Sequence, residues 1–170
     1  DVYKRQGKSL AKSLNKLNKK LILLDKNFDG LNSLKNELNT NSNLKIINFD
    51  LSKKDLIHDL FEKELKNETD IDCLVNCAAY EAAGFFDDIP TEEMLKNIDT
   101  NAISPILLTK KILPFLIKNS GAVVNMISTM STVGVPGRMS YCISKSALKS
   151  FSDVLRLSLI HISEPTRPID

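Results

Sequence analysis

The chain has 170 residues, 42% of them apolar and 26% charged, with a formal net charge of +2; that is one ordinary globular domain. Scattered lysines and a small net charge argue against nucleic acid as a partner. No apolar run approaches the ~18 residues of a membrane span, and no signal-peptide pattern opens the chain. Three cysteines lack metal-ligand spacing and read as reduced, buried thiols, so no metal is expected, and together these features lead us to expect no membrane and a cytoplasmic location.

The two ends read differently from the middle. Residues 1–6 can be encoded by GATGTGTATAAGAGACAG, whose reverse complement encodes Leu-Ser-Leu-Ile-His-Ile, the sequence of residues 157–162. This resembles the inverted transposon end used in sequencing libraries, and residues 163–168 resemble the adapter beyond it. The expected organisation is therefore 1–6 and 157–170 as translated adapter DNA, with 7–156 as part of one domain.

In chain order, Gly7 opens a helical pattern with Leu10, Ala11, Leu14 and Leu17 on one face. Leu21–Leu24 reads as a strand ended by Asp25, and Leu31, Leu34 and Leu38 form a second helical stripe. Residues 44–49 form the next strand, closed by Asp50 and Leu51; Ser52 and Asp55 have the spacing of a capping box. Leu56, Leu60, Phe61 and Leu65 give another helix, with His58 off its apolar stripe and expected at the surface. A strand over 71–75 ends at Asn76 and is followed by Cys77, Ala78 and Ala79. Phe85 and Phe86 then lie in a loop, as one wall of a cleft or as core. Pro90-Thr91-Glu92-Glu93 reads as a capped helix start, and 101–118 as a long helix broken at Asn119-Ser120-Gly121.

Residues 121–127 are a β-branched apolar run, read as a buried parallel strand ending at Ser128. A loop with Gly134, Pro136 and Gly137 leads to a helix that opens near Tyr141, with Lys145 four residues on. Four residues is one helical turn, so the phenol and the ammonium share a face. A phenol, with its pKa near ~10, is a poor acid or base at neutral pH, and an adjacent cation stabilises its ionised form. The pair is a candidate acid–base device at the carboxyl edge of an α/β sheet, where catalytic groups gather.

Ser128, Tyr141 and Lys145 at this spacing resemble the Ser-Tyr-Lys signature of the short-chain dehydrogenase/reductase family. Asn101 matches the family's fourth catalytic position, and Asn76-Cys77-Ala78-Ala79 resembles its Asn-Asn-Ala-Gly turn with two departures. The resemblance implies a Rossmann-like doubly wound parallel sheet in three α/β/α layers, and an oxidoreductase moving hydride between NAD(P) and a carbonyl or alcohol. Tyr141 would transfer the proton, Ser128 hold the substrate oxygen, Lys145 tune the tyrosine and bind the nicotinamide ribose, and Asn101 position a relay water. For the cofactor it implies Gly7 as the last glycine of the phosphate loop, Asp50 and Leu51 at the adenine, Asn76 and Ala78 under the adenosine, and Tyr141 and Lys145 at the nicotinamide. Asp25 at the adenosine ribose favours NAD; it could instead be a turn aspartate, and Lys26 could greet the phosphate of NADP. The implied partners are a small-molecule substrate and a second or further copies of the chain, as a homodimer or homotetramer pairing through the Asn101 and Tyr141 helices.

Against the family's pattern the sheet is incomplete, with the first strand and the last two missing. The first would lie between the strands ending at Asp25 and Asn76, so the 170-residue product is expected to fold poorly and be inactive. The competing readings are a non-catalytic nucleotide-binding relative and an inert gene fragment.

Overall fold

The computed structural model describes residues 2–38 and 43–163. Helices and strands alternate: α1 (Val2–Lys16), β1 (Leu21–Asp25), α2 (Phe28–Leu38), β2 (Leu44–Asn48), α3 (Ile57–Leu60), β3 (Cys73–Asn76), α4 (Thr91–Ile98), α5 (Ser104–Lys118), β4 (Ala122–Asn125) and α6 (Met139–Ser163). A 3-10 turn and a π turn flank α3, and a π turn over Asp99–Ile103 joins α4 to α5, making 91–118 one helical rod. α1 and α6 extend into both end segments; residues 1 and 164–170 of those segments lie outside the described residues.

The strands form two parallel pairs, β1 with β2 and β3 with β4. Alternation along β1 sends successive side chains to opposite faces. Leu21 and Leu23 pack with Ala11, Leu34 and Leu38 under α1 and α2. Ile22 and Leu24 pack into a larger core with Ile57 and Leu60 of α3 and Leu108, Ile112 and Leu116 of α5. Leu74 of β3 and Val123 of β4 join that same core, so both strand pairs share one helical layer. Lys20, just before β1, bonds Glu68 and Asp70, just before β3. The result is a Rossmann-like, doubly wound α/β/α arrangement whose sheet is in two halves. Where β4 starts, the chains approach so closely that a Cβ on Gly121 would lie 2.4 Å from the Asp72 carbonyl oxygen.

Several local expectations are corrected. Gly7 is inside α1, not at its opening, because nothing in Val2–Gln6 breaks a helix. Ser52 does not cap a helix: its N–H bonds the Asp50 carboxylate in an Asx turn two residues long. The start of α4 has no side-chain cap: the N-cap position holds Pro90, whose carbonyl takes the Glu93 and Met94 N–H groups. The thiols are free, but Cys73 is exposed and Cys77 and Cys142 are half-buried. Cys73 starts β3, at the margin of a two-stranded sheet with little above it. Phe85 and Phe86 are 64% and 76% exposed, which removes the core alternative. His58 is at the surface, beside Lys111.

A strand paired on one side leaves every second backbone N–H and C=O without a ladder partner. Among the described residues, each of the four strands has one partner only. Amide exchange of the 170-residue chain alone is therefore expected to show weak protection along β1 and β3. Cooperative, strongly protected strands would contradict this.

Candidate active site

The ends of β3 and β4 and the start of α6 enclose a cleft of about 360 Å³, lined by Cys77, Met126, Ile127, Ser128, Tyr141 and Lys145, with Gln6 of α1. Tyr141 and Lys145 lie one turn apart near the start of α6 and are only 1% and 2% exposed. Lys145 Nζ donates to the Met126 carbonyl at 2.7 Å and sits 5.7 Å from the centroid of the Tyr141 ring. Burial pushes the Lys145 ammonium below its ordinary value, with the neighbouring Cys77 acting weakly the other way. Burial likewise pushes the Cys77 thiol up, opposed by Lys145.

Ser128 has extended backbone and caps the 3-10 turn after β4, its Oγ accepting the Met130 N–H at 3.2 Å. Its carbonyl accepts the Ser131 hydroxyl and N–H. A hydroxyl that accepts one hydrogen bond keeps its own proton to donate. Ser128 thus offers a donor with a fixed position, from the strand side of the cleft.

Asn101 is fully buried in the π turn, and its amide is occupied by protein at both ends. Oδ1 accepts the Tyr80 N–H at 2.7 Å; Nδ2 donates to the Tyr80 carbonyl at 2.7 Å, Asn97 Oδ1 at 3.1 Å and Ser144 Oγ at 3.2 Å. Asn97 Nδ2 reaches the same Tyr80 carbonyl at 2.8 Å, and the Ser144 hydroxyl donates to Asn97 Oδ1 at 3.1 Å. This network, with its Asn97, Asn101 and Ser144 side chains buried, ties the loop after β3, the π turn and α6 into one frame. Pro105, four residues after Asn101, has no N–H. The Asn101 carbonyl therefore lacks its usual helical donor, which is a physical reason for the π turn there.

The cofactor candidates fall in three groups. Asp25 and Asp50 line a second cleft of about 620 Å³ at the ends of β1 and β2, together with Lys26, Asn48 and Lys53. Asp25 Oδ1 accepts the Asn27 N–H at 2.8 Å, a turn bond that leaves its other oxygen uncommitted among the described residues. Burial works against ionising Asp50, but the Ser52 N–H and hydroxyl, helped by Lys26 and Lys53, hold its carboxyl below the usual range. Tyr141 and Lys145 line the first cleft, and Gly7 lies near it: a Cβ there would meet Cys77 Sγ at 3.7 Å. Leu51, Asn76 and Ala78 line neither cleft. Leu51 packs into the core, and its carbonyl accepts the Ser104 hydroxyl. Asn76 Nδ2 bonds Asn125 Oδ1 at 2.8 Å and Thr109 Oγ1 at 3.2 Å, tying β3 to β4 and α5; Ala78 is exposed.

Sequence reasoning missed Asn97, Ser144 and Tyr80. Asn97 precedes Asn101 by one turn, so its shared face was readable. Tyr80 was not, because its contribution is its backbone. The Tyr80 hydroxyl also bonds Glu93, and Lys26 and Lys96 flank its ring at 5.2 and 4.6 Å. Among the described residues no cluster of three His, Cys, Asp or Glu could hold a metal, and no helix is long and apolar enough to cross a membrane. A phenol beside a buried ammonium, facing a positioned hydroxyl, can give a proton to, or take one from, an oxygen held between them.

Comparison with known proteins gives the family and the fold. The short chain dehydrogenase family matches residues 6–162. The chain is 35% identical over 111 residues to "Uncharacterized oxidoreductase YusZ" of Bacillus subtilis (strain 168), covering 65% of this chain and 40% of that protein. It is 31% identical over 163 residues to "Dehydrogenase/reductase SDR family member 7C" of Rattus norvegicus, covering 92% of this chain and 52% of that one. The chain thus spans about half or less of the length of these curated relatives. Among solved structures, a metagenomic short-chain oxidoreductase in complex with NADP superposes with a TM-score of 0.82 at 22% identity, covering 91% of this chain and 70% of that one. A 4-hydroxyisoleucine dehydrogenase complexed with NADH and succinate gives 0.78 at 24%, covering 88% and 64%; both show the shared fold. With its parallel α/β frame and a family match along nearly its whole length, this chain belongs to the short-chain dehydrogenase family.

Proposed function

We propose that the full-length protein is an oxidoreductase interconverting a carbonyl and an alcohol on a small molecule, with NAD or NADP. The observation that carries this is the meeting of Ser128, Tyr141 and Lys145 around one cleft. Tyr141 passes the proton to the substrate oxygen during reduction and takes it back during oxidation. Ser128 holds that oxygen by donating its hydroxyl. Lys145, anchored on the Met126 carbonyl, keeps positive charge beside the phenol and binds a ribose hydroxyl. A bound nicotinamide supplies or accepts the hydride. Both clefts fit such a dinucleotide: Asp25 and Asp50 can accept from the adenosine, and Lys145 can donate to the other ribose. The free oxygen of Asp25 favours NAD, while Lys26 beside it is the group that would accommodate NADP.

Asn101 acts through two different atoms. Its side chain holds the Tyr80 backbone, and its carbonyl, to which Pro105 cannot donate as the fourth residue on, is the atom that would hold a relay water. Keeping both Tyr141 and Lys145 buried in one cleft favours catalysis over simple nucleotide binding. Exposed Leu107 and Ile117 of α5 and Ile143 and Val154 of α6 support pairing of copies through these helices in the intact protein.

Three outcomes are expected with the full-length enzyme. Tyr141→Phe should lower turnover by about 10²-fold or more while cofactor affinity stays within a few-fold; retained turnover contradicts the assignment. Because Lys145 is pushed below 10.5, its ammonium is lost earlier as pH rises. The alkaline limb of the kcat/KM profile should therefore fall below that value, and Lys145→Arg should move it up; a profile flat to that pH contradicts the role. Asn101→Ala leaves the Tyr80 N–H without its partner, at roughly 1–3 kcal/mol, and leaves the Tyr80 carbonyl with Asn97 alone. It should lower thermal stability and activity together, and lost activity with an unchanged melting temperature would contradict the clamp.

A further inference from the structure

The cleft opens between two loops, one from β3 to α4 and one from β4 to α6. They are fastened to each other: the Gly84 N–H donates to the Gly137 carbonyl at 3.1 Å, and Arg138 pairs with Glu81 at 2.5 Å. Gly137 stands at φ 72°, a left-handed conformation that suits glycine. On these joined loops large apolar side chains face solvent: Phe85 (64% exposed), Phe86 (76%), Val133 (58%) and Ile127 (49%). Ile127 also lines the catalytic cleft, and the hydrogen bond between Gly84 and Gly137 holds the loop of the two phenylalanines against the loop that carries Ile127 and Val133.

Charge narrows what could sit there. Residues 77–90 and 126–137 contain no Lys, Arg or His. Arg138, the next residue, is already paired with Glu81. Lys145 is buried on the Met126 carbonyl. The loop that presents the two phenylalanines also carries Asp87 and Asp88. Among the described residues, Arg138 and Lys145 are already committed and Lys26 and Lys96 lie over the Tyr80 ring, so an anionic substrate arriving at this mouth passes Asp87 and Asp88, while an apolar one meets surface that gains by leaving water.

We infer that the substrate is a neutral ketone or secondary alcohol with a large apolar flank, which lies over Ile127, Val133 and the Phe85–Phe86 pair. This rests on the oxidoreductase reading above and adds the substrate class to it. Keto acids, sugar phosphates and other anions are poor substrates, and each methylene added to the apolar flank improves turnover at low concentration.

The test uses the full-length enzyme with methyl ketones from butanone to nonanone, and with keto acids of matching length. kcat/KM should rise about threefold per added methylene, and each keto acid should be about tenfold or more slower than its neutral counterpart. Phe85→Ala combined with Phe86→Ala should flatten the chain-length slope. Both rings are largely exposed, so an unchanged melting temperature is expected and checks that the variant is folded. A flat slope in the unaltered enzyme, a preference for keto acids or polyols, or no turnover of any neutral ketone would overturn the inference. A slope that survives in the double variant would also overturn it, assigning the two rings to contact with another protein segment. Tyr141→Phe separates the levels: if it abolishes turnover while the slope is flat, the proton-transfer reading stands and the substrate class falls. If turnover persists in Tyr141→Phe, the reading beneath falls too.

Discussion

The site depends on one buried hydrogen bond, from Lys145 Nζ to the Met126 carbonyl at 2.7 Å. A buried ammonium is costly unless it is paired or well hydrogen-bonded. Here the end of β4 supplies a fixed carbonyl, so the charge can stay in the wall of the cleft, 5.7 Å from the Tyr141 ring centre. The same bond sets where α6 meets the sheet. Tyr141 comes one turn earlier on that helix, and Ser128 lies two residues beyond Met126 on the strand side. One contact thus aligns the three groups from two elements, and its cost appears in the depressed pKa of the lysine.

A second frame holds the opposite side. The buried Asn97, Asn101 and Ser144 side chains leave few polar atoms unmatched, and they grip both backbone groups of Tyr80. Such a network is stable only when its members are satisfied together. It therefore fixes the loop after β3 relative to α6, and with it the joined loops at the mouth of the cleft. Pro105 gives the helical rod its π turn at this point, so a residue that cannot donate shapes the helix where the network needs room.

Much of the frame was legible because buried parallel strands leave plain traces. The apolar runs at Leu21–Leu24, 44–49 and 121–127 became β1, β2 and β4, and alternation in β1 correctly divides two helical layers. The spacing of Ser128, Tyr141 and Lys145 predicted their common edge. Backbone chemistry was harder to see. Ser52 looked like a cap, yet the Asp50 carboxylate two residues earlier competes for its N–H and wins. Leu51 and Asn76 were read as cofactor residues from their place in a motif; the structure adds that Leu51 packs on the core and that the Asn76 amide joins β3 to β4 and α5. Asn101 was assigned a relay water, and no pattern announced that its side chain would also hold the Tyr80 backbone. The cysteines were expected inside because thiols pack well; Cys73 is outside because its strand begins at the margin of a two-stranded sheet.

The central claim is that a substrate oxygen sits between the Tyr141 and Ser128 hydroxyls, beside a lysine that stays on its carbonyl. The most direct measurement is a crystal structure of the full-length enzyme with cofactor and a slow alcohol substrate. The account predicts the alcohol oxygen within about 3 Å of both hydroxyl oxygens, with Lys145 still bonded to Met126. An alcohol oxygen bound away from Tyr141, or Lys145 swung out of the cleft, would contradict it.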